Sequence, residues 1–394
     1  MAREYLGSKR AGGIATYIHE VSKIMAQMGH RVYIICASDE VNRSRREVIG
    51  EITYIYLSGA DYFIHSNRYL QLLFTKIREV LFYNSYRKKV VFAINQLQKE
   101  VGLDLIEFPE FGNEAKYWLR TENRNITTIV RFHGPSGHNR ATNVINTRSK
   151  RVKNELITSF KADGISFCSR AIRHLLLDND FSYTLISNYE GTQKVIFNPV
   201  VLGNTISFKP SNTKFIFAAG SFVENKGFKE LIEALKLLNK DNHIELVIAG
   251  KLGRLGIEYL KKAQQEDDYK DWLNILGPID RKLLYSYYRQ AEICCFPSYW
   301  DNMPLTCLEA MSVGGLVLGS SSGGMKEIIE NGVDGFLARP KDIILLKNNI
   351  EIILNLKKPQ KNSVRKMAIN KIENNFSSQV IYEQMFSFYN QLNS

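Results

Sequence analysis

No apolar run in this sequence approaches the roughly 20 residues that a membrane-spanning helix needs. The first ten residues, MAREYLGSKR, lack the apolar core of a secretory signal. Cysteine is scarce. Cys36, Cys168, Cys294, Cys295 and Cys307 include no CxxC pair and no metal-ligand spacing, which excludes a zinc ribbon or a disulfide scaffold. They read instead as reduced, mostly buried thiols of a cytoplasmic protein. There is no internal repeat and no low-complexity tract. No aromatic-studded basic motif is present either, so nucleic acid is not an expected partner.

What is there is enough chain for two domains. At 394 residues, with 44% apolar and 23% charged composition, the protein is globular and exceeds one ordinary core. The formal net charge is +12. Most of the excess falls in the first half, which can face an anionic substrate or an anionic membrane, or be only a solvated basic surface. Arg43-Ser44-Arg45-Arg46 and Arg87-Lys88-Lys89 lean toward a membrane surface.

The dominant rhythm is a short apolar strand followed by an amphipathic helix. Residues 14–28 place Ile14, Tyr17, Ile18, Val21, Ile24, Met25 and Met28 on one helical face. Strands are expected at 31–36, 105–108, 127–132, 164–168 and 194–197. The second half repeats the pattern, with strands at 214–219, 244–249, 273–276, 293–296 and 316–318. This alternation predicts parallel sheets covered on both faces. Residues 1–200 form the first expected domain and 201–376 the second, with a turn-rich junction near 198–210. Residues 377–394 predict a closing helix that packs back on the first domain. A Rossmann-like domain should open with an apolar strand running into its first glycine turn. Here Gly12-Gly13 is preceded by a polar stretch, and that strand is expected to be missing or very short.

Several segments could carry chemistry. Gly12-Gly13 precedes the first helix, where glycines let backbone N–H groups approach a phosphate, although the same pair makes a plain turn. Lys226, in GSFVENKG, lies between strand end and helix start, where open sheets bind ligands and a lysine can neutralise a diphosphate. A surface lysine is the plainer reading. In FPSYWDNMPLTCLEAM, Asp301 or Asn302 can cap a helix that has Pro304 in its first turn. Asp301 and Glu309 lie about two turns apart and could serve a sugar and a ribose diol. They could equally be a helix cap and a salt-bridged face residue. His133 follows a buried strand and can hydrogen-bond a substrate or stabilise charge. Glu110, in FPEFG, has the same placement and a weaker claim.

Taken in order, these segments resemble the family 4 retaining glycosyltransferases, which have the GT-B fold: two Rossmann-like domains with parallel sheets facing a central cleft. The likeness spans nearly the whole chain. Its most specific block is residues 296–337, FPSYWDNMPLTCLEAMSVGGLVLGSSSGGMKEIIENGVDGFL, with two acidic residues separated by seven, then a glycine turn and a closing strand. AGGIATYIHEVSKIMAQMGHRVYII resembles the family's opening glycine turn and first helix, and RFHGPS its active-site histidine segment.

The resemblance implies roles. Gly12 and Gly13 would contact the donor diphosphate or nearby sugar, and Lys226 the diphosphate. Asp301 and the backbone of Asn302, Met303, Pro304 and Leu305 would meet the transferred sugar and phosphate. Glu309 would hold the ribose, and His133 would lie beside the reacting carbon. The backbone near Gly277–Ile279 would meet the base. Asp301 stands where many members have glutamate, and Ser221 where the family usually has an arginine paired with the lysine; Arg254 or another group would have to substitute.

The implied activity is retaining transfer of a sugar from a nucleotide-sugar, UDP-sugar first, to a glycan or lipid-linked acceptor. No metal and no cofactor is expected beyond the nucleotide-sugar as co-substrate. The expected location is cytoplasmic, with peripheral contact to the inner face of a membrane. The alternative is a catalytically silent GT-B protein that binds a nucleotide or a partner. A nucleotide-sugar epimerase is disfavoured by the acidic pair and its context.

Overall fold

The computed structural model describes residues 5, 12–38, 44–58, 83–122, 124–202, 214–239 and 243–393. The first half holds two sheets. Strands β1 (Val32–Ala37), β2 (Arg45–Ile49) and β3 (Ile52–Leu57) form one, in the order β1-β3-β2. There β1 runs parallel to β3 and β2 antiparallel. Strands β4 (Leu105–Pro109), β5 (Thr127–Phe132), β8 (Gly164–Phe167) and β9 (Thr192–Val195) form the other, parallel throughout. A short hairpin, β6 (His138–Asn139) and β7 (Val144–Ile145), rises between β5 and β8.

The second half is a single parallel sheet of six strands. These are β10 (Phe215–Ala219), β11 (Glu245–Ala249), β12 (Leu273–Gly277), β13 (Ile293–Phe296), β14 (Val317–Ser320) and β15 (Phe336–Ala338). Their order is β12-β11-β10-β13-β14-β15. This is the doubly wound order in which the chain reverses direction between its first and fourth strands, opening a crevice at their carboxyl ends. The two strands flanking that point, FIFAA and ICCF, are buried along their whole length, as parallel strands covered on both faces must be. The loops leaving them carry Ser221, Lys226 and Asp301.

The chain returns to its first half at the end. The helix Ser378–Asn393 buries Ile381, Met385 and Phe388 in a cluster with Tyr17, Val21 and Ile129. A backbone bridge, Val200 to Ser377, and the rings of Phe197 and Phe376, 5.2 Å apart, mark where the chain crosses in each direction. No helix among the described residues is long and apolar enough to cross a membrane. All five cysteines are buried and free.

Some expectations need correction. The strand expected at 194–197 is β9 at 192–195, and β2–β3 was not foreseen at all. β2 is exposed at every position, so it has no apolar alternation to detect. Arg87 is not a surface cation: it is 5% exposed and donates to the Gly112 carbonyl at 2.6 Å. Arg46 is tied to Glu100 at 2.8 Å. The stretch where an opening strand was sought lies almost wholly outside the described residues. Among those described, no strand pairs with the free edges of β1 and β4. Those edges flank a groove of about 470 Å³ that also touches Tyr17, Val21, Met25 and Phe386.

Candidate active site

A cleft of about 730 Å³ lies between the two halves, at the carboxyl ends of their strands. It is lined from the first half by Gly12, Gly13, Phe111, His133 to Ser136, His138, Arg140 and Cys168. The second half contributes Gly220, Ser221, Lys226, Asp301 to Thr306 and Glu309. Gly12, Gly13, His133, Ser221, Lys226, Asp301 to Leu305 and Glu309, all singled out from the sequence, therefore meet in one cavity, whereas Glu110, Arg254 and the Gly277–Ile279 stretch do not line it. Ile279 packs against the core instead.

The loop after β13 makes the centre. Asp301 is 9% exposed. Its carboxylate accepts from Lys226 Nζ at 2.7 Å and from Ser298 Oγ at 2.5 Å. Asp301 and Asn302 do not cap the following helix, as the sequence suggested. That helix, Leu305–Ser312, begins after Pro304 without a side-chain cap. The first N–H groups of a helix have no partner within it, and Leu305 and Thr306 line the cleft. Glycine backs this loop closely: Gly324 donates to the Asp301 carbonyl at 2.8 Å, and a Cβ at Gly324 would lie 2.1 Å from the Asn302 carbonyl oxygen.

Two turns on, Glu309 is held by Arg281, whose Nη2 lies 3.2 Å from it. The same guanidinium also bonds Glu20 of the first helix, Gly13–Gln27, so three charges join the two halves. Burial pushes the Glu309 carboxyl up to about 7, against the pull of Arg281. The ion-pair reading of Glu309 is thus realised, and a ribose would meet a carboxylate already positioned by an arginine.

His133 faces this loop from the first half. Its ring sits edge-on to Tyr17, with centroids 4.8 Å apart. Burial, then the neighbouring Arg131, holds the imidazole well below its usual range, so it is neutral at pH 7. It can hydrogen-bond a sugar hydroxyl; it does not bring a positive charge. Its carbonyl accepts from Asn302 Nδ2 at 2.6 Å, a direct bond between the two halves. Gly134 must be glycine for that bond to form. Its φ is +141°, and a Cβ would stand 2.0 Å from Asn302 Nδ2. Gly134→Ala is expected to keep both halves folded by circular dichroism and to lower kcat/KM on the order of 100-fold by displacing His133 relative to Asp301.

The histidine loop rests on two buried carboxylates that sequence reasoning weighted too lightly or missed. Glu110 accepts from His133 N at 2.9 Å and from Gly134 N. Glu155 accepts from Ser136 N at 2.8 Å, from Gly112 N at 3.1 Å and from the Ser136 hydroxyl. Burial outweighs these donors and raises Glu110 from 4.5 to about 8. The unfolded chain loses this proton near 4.5 and the fold keeps it to about 8, so stability falls as pH rises between those values. The slope for one group is on the order of 1 kcal/mol per pH unit. Glu110→Gln is expected to flatten that decline in urea melts from pH 5 to 8. An unchanged slope would show that Glu110 is ionised in the fold.

Arg131 was missed as well. It is wholly buried, 4.2 Å over the Tyr17 ring, and donates to the Ile196 carbonyl at 2.8 Å and to Asn198 Oδ1 at 2.9 Å. Asp178-Asn179-Asp180, an Asp-x-Asp triplet, does not line the cleft; Asn179 caps a helix there.

Two Rossmann-like sheets that present their carboxyl ends to a shared cleft define the GT-B class. The model described as Glycosyltransferase Family 4 matches residues 11–188, and the one described as Glycosyl transferases group 1 matches residues 205–371. The chain belongs to glycosyltransferase family 4. Among curated relatives, the capsular polysaccharide biosynthesis glycosyltransferase CapM of Staphylococcus aureus is 22% identical over 60% of this chain and 63% of its own length. The amylovoran biosynthesis glycosyltransferase AmsK of Erwinia amylovora is 29% identical over 43% of each. These alignments thus span less than two thirds of the relatives. Among solved structures, sucrose-phosphate synthase of Thermosynechococcus elongatus superposes with a TM-score of 0.76 at 21% identity, covering 97% of this chain and 94% of that one. A trehalose-6-phosphate structure from E. coli, bound with UDP-2-fluoro glucose, gives 0.75 at 16%, covering 99% and 98%. At such identities the likeness speaks for the fold.

Proposed function

We propose that the chain transfers a sugar from a nucleotide-sugar, a UDP-sugar first, to a glycan or lipid-linked acceptor with retention of configuration. The observation that carries this reading is the ion pair of Lys226 and Asp301 in the cleft, with Glu309 on the helix that follows Asp301 and His133 opposite. A diphosphate entering there meets Lys226, the start of the Leu305–Ser312 helix and the glycine turn at Gly12-Gly13. Asp301, released from Lys226, accepts from hydroxyls of the transferred sugar, and Glu309 accepts from the ribose diol.

In the reaction the bond from the sugar carbon to the diphosphate oxygen breaks, and its electron pair stays on the diphosphate. The acceptor hydroxyl forms the new bond from the same face, and its proton passes to the departing oxygen. Lys226 stabilises the growing negative charge, a role that protein donors can fill in place of a metal ion. The names of CapM and AmsK favour polysaccharide biosynthesis and hence a glycan acceptor, and the UDP-2-fluoro glucose of the trehalose-6-phosphate structure favours a UDP-linked donor. A lipid-linked acceptor would place the protein at the inner face of an anionic membrane.

The test is proton NMR of the product formed from an α-linked UDP-sugar and a lipid-linked glycan extract. An α-anomeric signal in the product supports retention. A β-linked product would overturn it, and product without release of nucleotide would overturn the transfer scheme.

A further inference from the structure

The charges of the cleft do not balance in the way a polyanionic ligand requires. Among its lining residues, Lys226 is matched by Asp301 at 2.7 Å, and Glu309 is matched by Arg281 at 3.2 Å. Ser221 and Gly220, at the end of β10, bring no charge. One charged lining residue is left over. Arg140 is exposed, lines the cleft, and makes no ion pair or hydrogen bond with a described residue. Burying phosphate oxygens is costly unless cations or N–H donors replace their water, and arginine presents a fork that fits phosphate oxygens two at a time.

The backbone that carries Arg140 is held by contacts on both sides. It follows β6 in a turn where Asn139 Oδ1 accepts from the N–H of Ala141 at 3.0 Å. The Ala141 carbonyl accepts from Lys341 Nζ, also at 3.0 Å, across the domain boundary. The His138 ring meets Trp300, the residue before Asp301, edge-on at 5.3 Å. A hairpin of the first half is thereby tied to the second half beside the cleft. Little backbone ordering remains to oppose binding.

We propose that Arg140 binds the diphosphate of the nucleotide-sugar donor, from the first-domain side of the cleft and opposite Lys226. This assignment rests on the donor reading given above, and it adds a residue that the motifs of the sequence did not single out.

Calorimetric titration of the full chain with UDP, GDP, UMP and uridine tests it, using the parent and the variants Arg140→Gln, Arg140→Lys and Arg148→Gln. Arg148 is an exposed arginine outside the cleft lining and controls for general surface charge. Arg140→Gln is expected to weaken the bound diphosphate nucleotide on the order of 10- to 100-fold, to weaken UMP less, and to leave uridine unchanged. Arg140→Lys should fall between, since it keeps the charge and loses the fork. Arg148→Gln should change affinity by no more than about twofold in 0.15 M salt. Equal affinity of parent and Arg140→Gln for the diphosphate overturns the assignment alone. Equal loss for uridine would show a distorted cleft and overturns it as well. A parent that binds neither UDP nor GDP overturns the donor reading and this assignment together.

Discussion

Lys226→Ala is expected to lower nucleotide release from the donor by about 100- to 1,000-fold, the cost of removing one positioned donor from a developing anion. The melting temperature should stay within about 4 °C of the parent. The asymmetry follows from where the lysine sits. Its side chain is 22% exposed and its partner Asp301 keeps the Ser298 hydroxyl at 2.5 Å. Water can reach what the ammonium leaves behind, so the stability cost is that of a partly exposed pair, about 1 kcal/mol or less. During reaction, by contrast, charge grows on the diphosphate in a closed cleft, where a cation has its largest effect. Comparable losses of stability and turnover would assign Lys226 a structural role.

The second large effect belongs to Glu309. Glu309→Gln is expected to weaken nucleotide binding by about 10- to 100-fold, the difference between a charged and a neutral acceptor for two ribose hydroxyls. The glutamine has nearly the same shape, and Arg281 keeps Glu20, so the fold should hold. The carboxyl is raised to about 7, and only its ionised form is the strong acceptor. Nucleotide affinity in the parent should therefore rise as pH climbs through about 7, and that rise should be absent in Glu309→Gln. Affinity that does not change in the variant would sink the ribose assignment.

The second domain was legible in the sequence because its strands are continuous apolar runs. FIFAA and ICCF are buried on both faces and read the same in either representation. The ligand loops fall at the ends of those runs, so the sequence alone places Ser221, Lys226 and Asp301 at strand ends. The first domain was harder. RREVI is exposed at every residue and looks like a charged loop until it is seen paired with β3. Arg87 looked like surface charge and Arg131 drew no reading, because burial of an arginine depends on carbonyls distant in sequence: Gly112 for one, Ile196 for the other. The links that close the cleft are also nonlocal. No spacing rule connects Asn302 with His133, Arg281 with Glu20, or Lys341 with Ala141. The reading of Asp301 as a helix cap followed a sound local preference, and lost to a stronger partner 75 residues away.

The measurement that bears most directly on the proposed transfer is nucleotide release from a panel of UDP- and GDP-sugars, with a lipid-linked glycan extract, by the parent and by Lys226→Ala. The expected result is release from one donor, stimulated by the extract and reduced at least about 100-fold in the variant. Nucleotide that binds the parent but is never released from any donor would contradict it, and would identify a silent protein that holds the nucleotide without transferring a sugar.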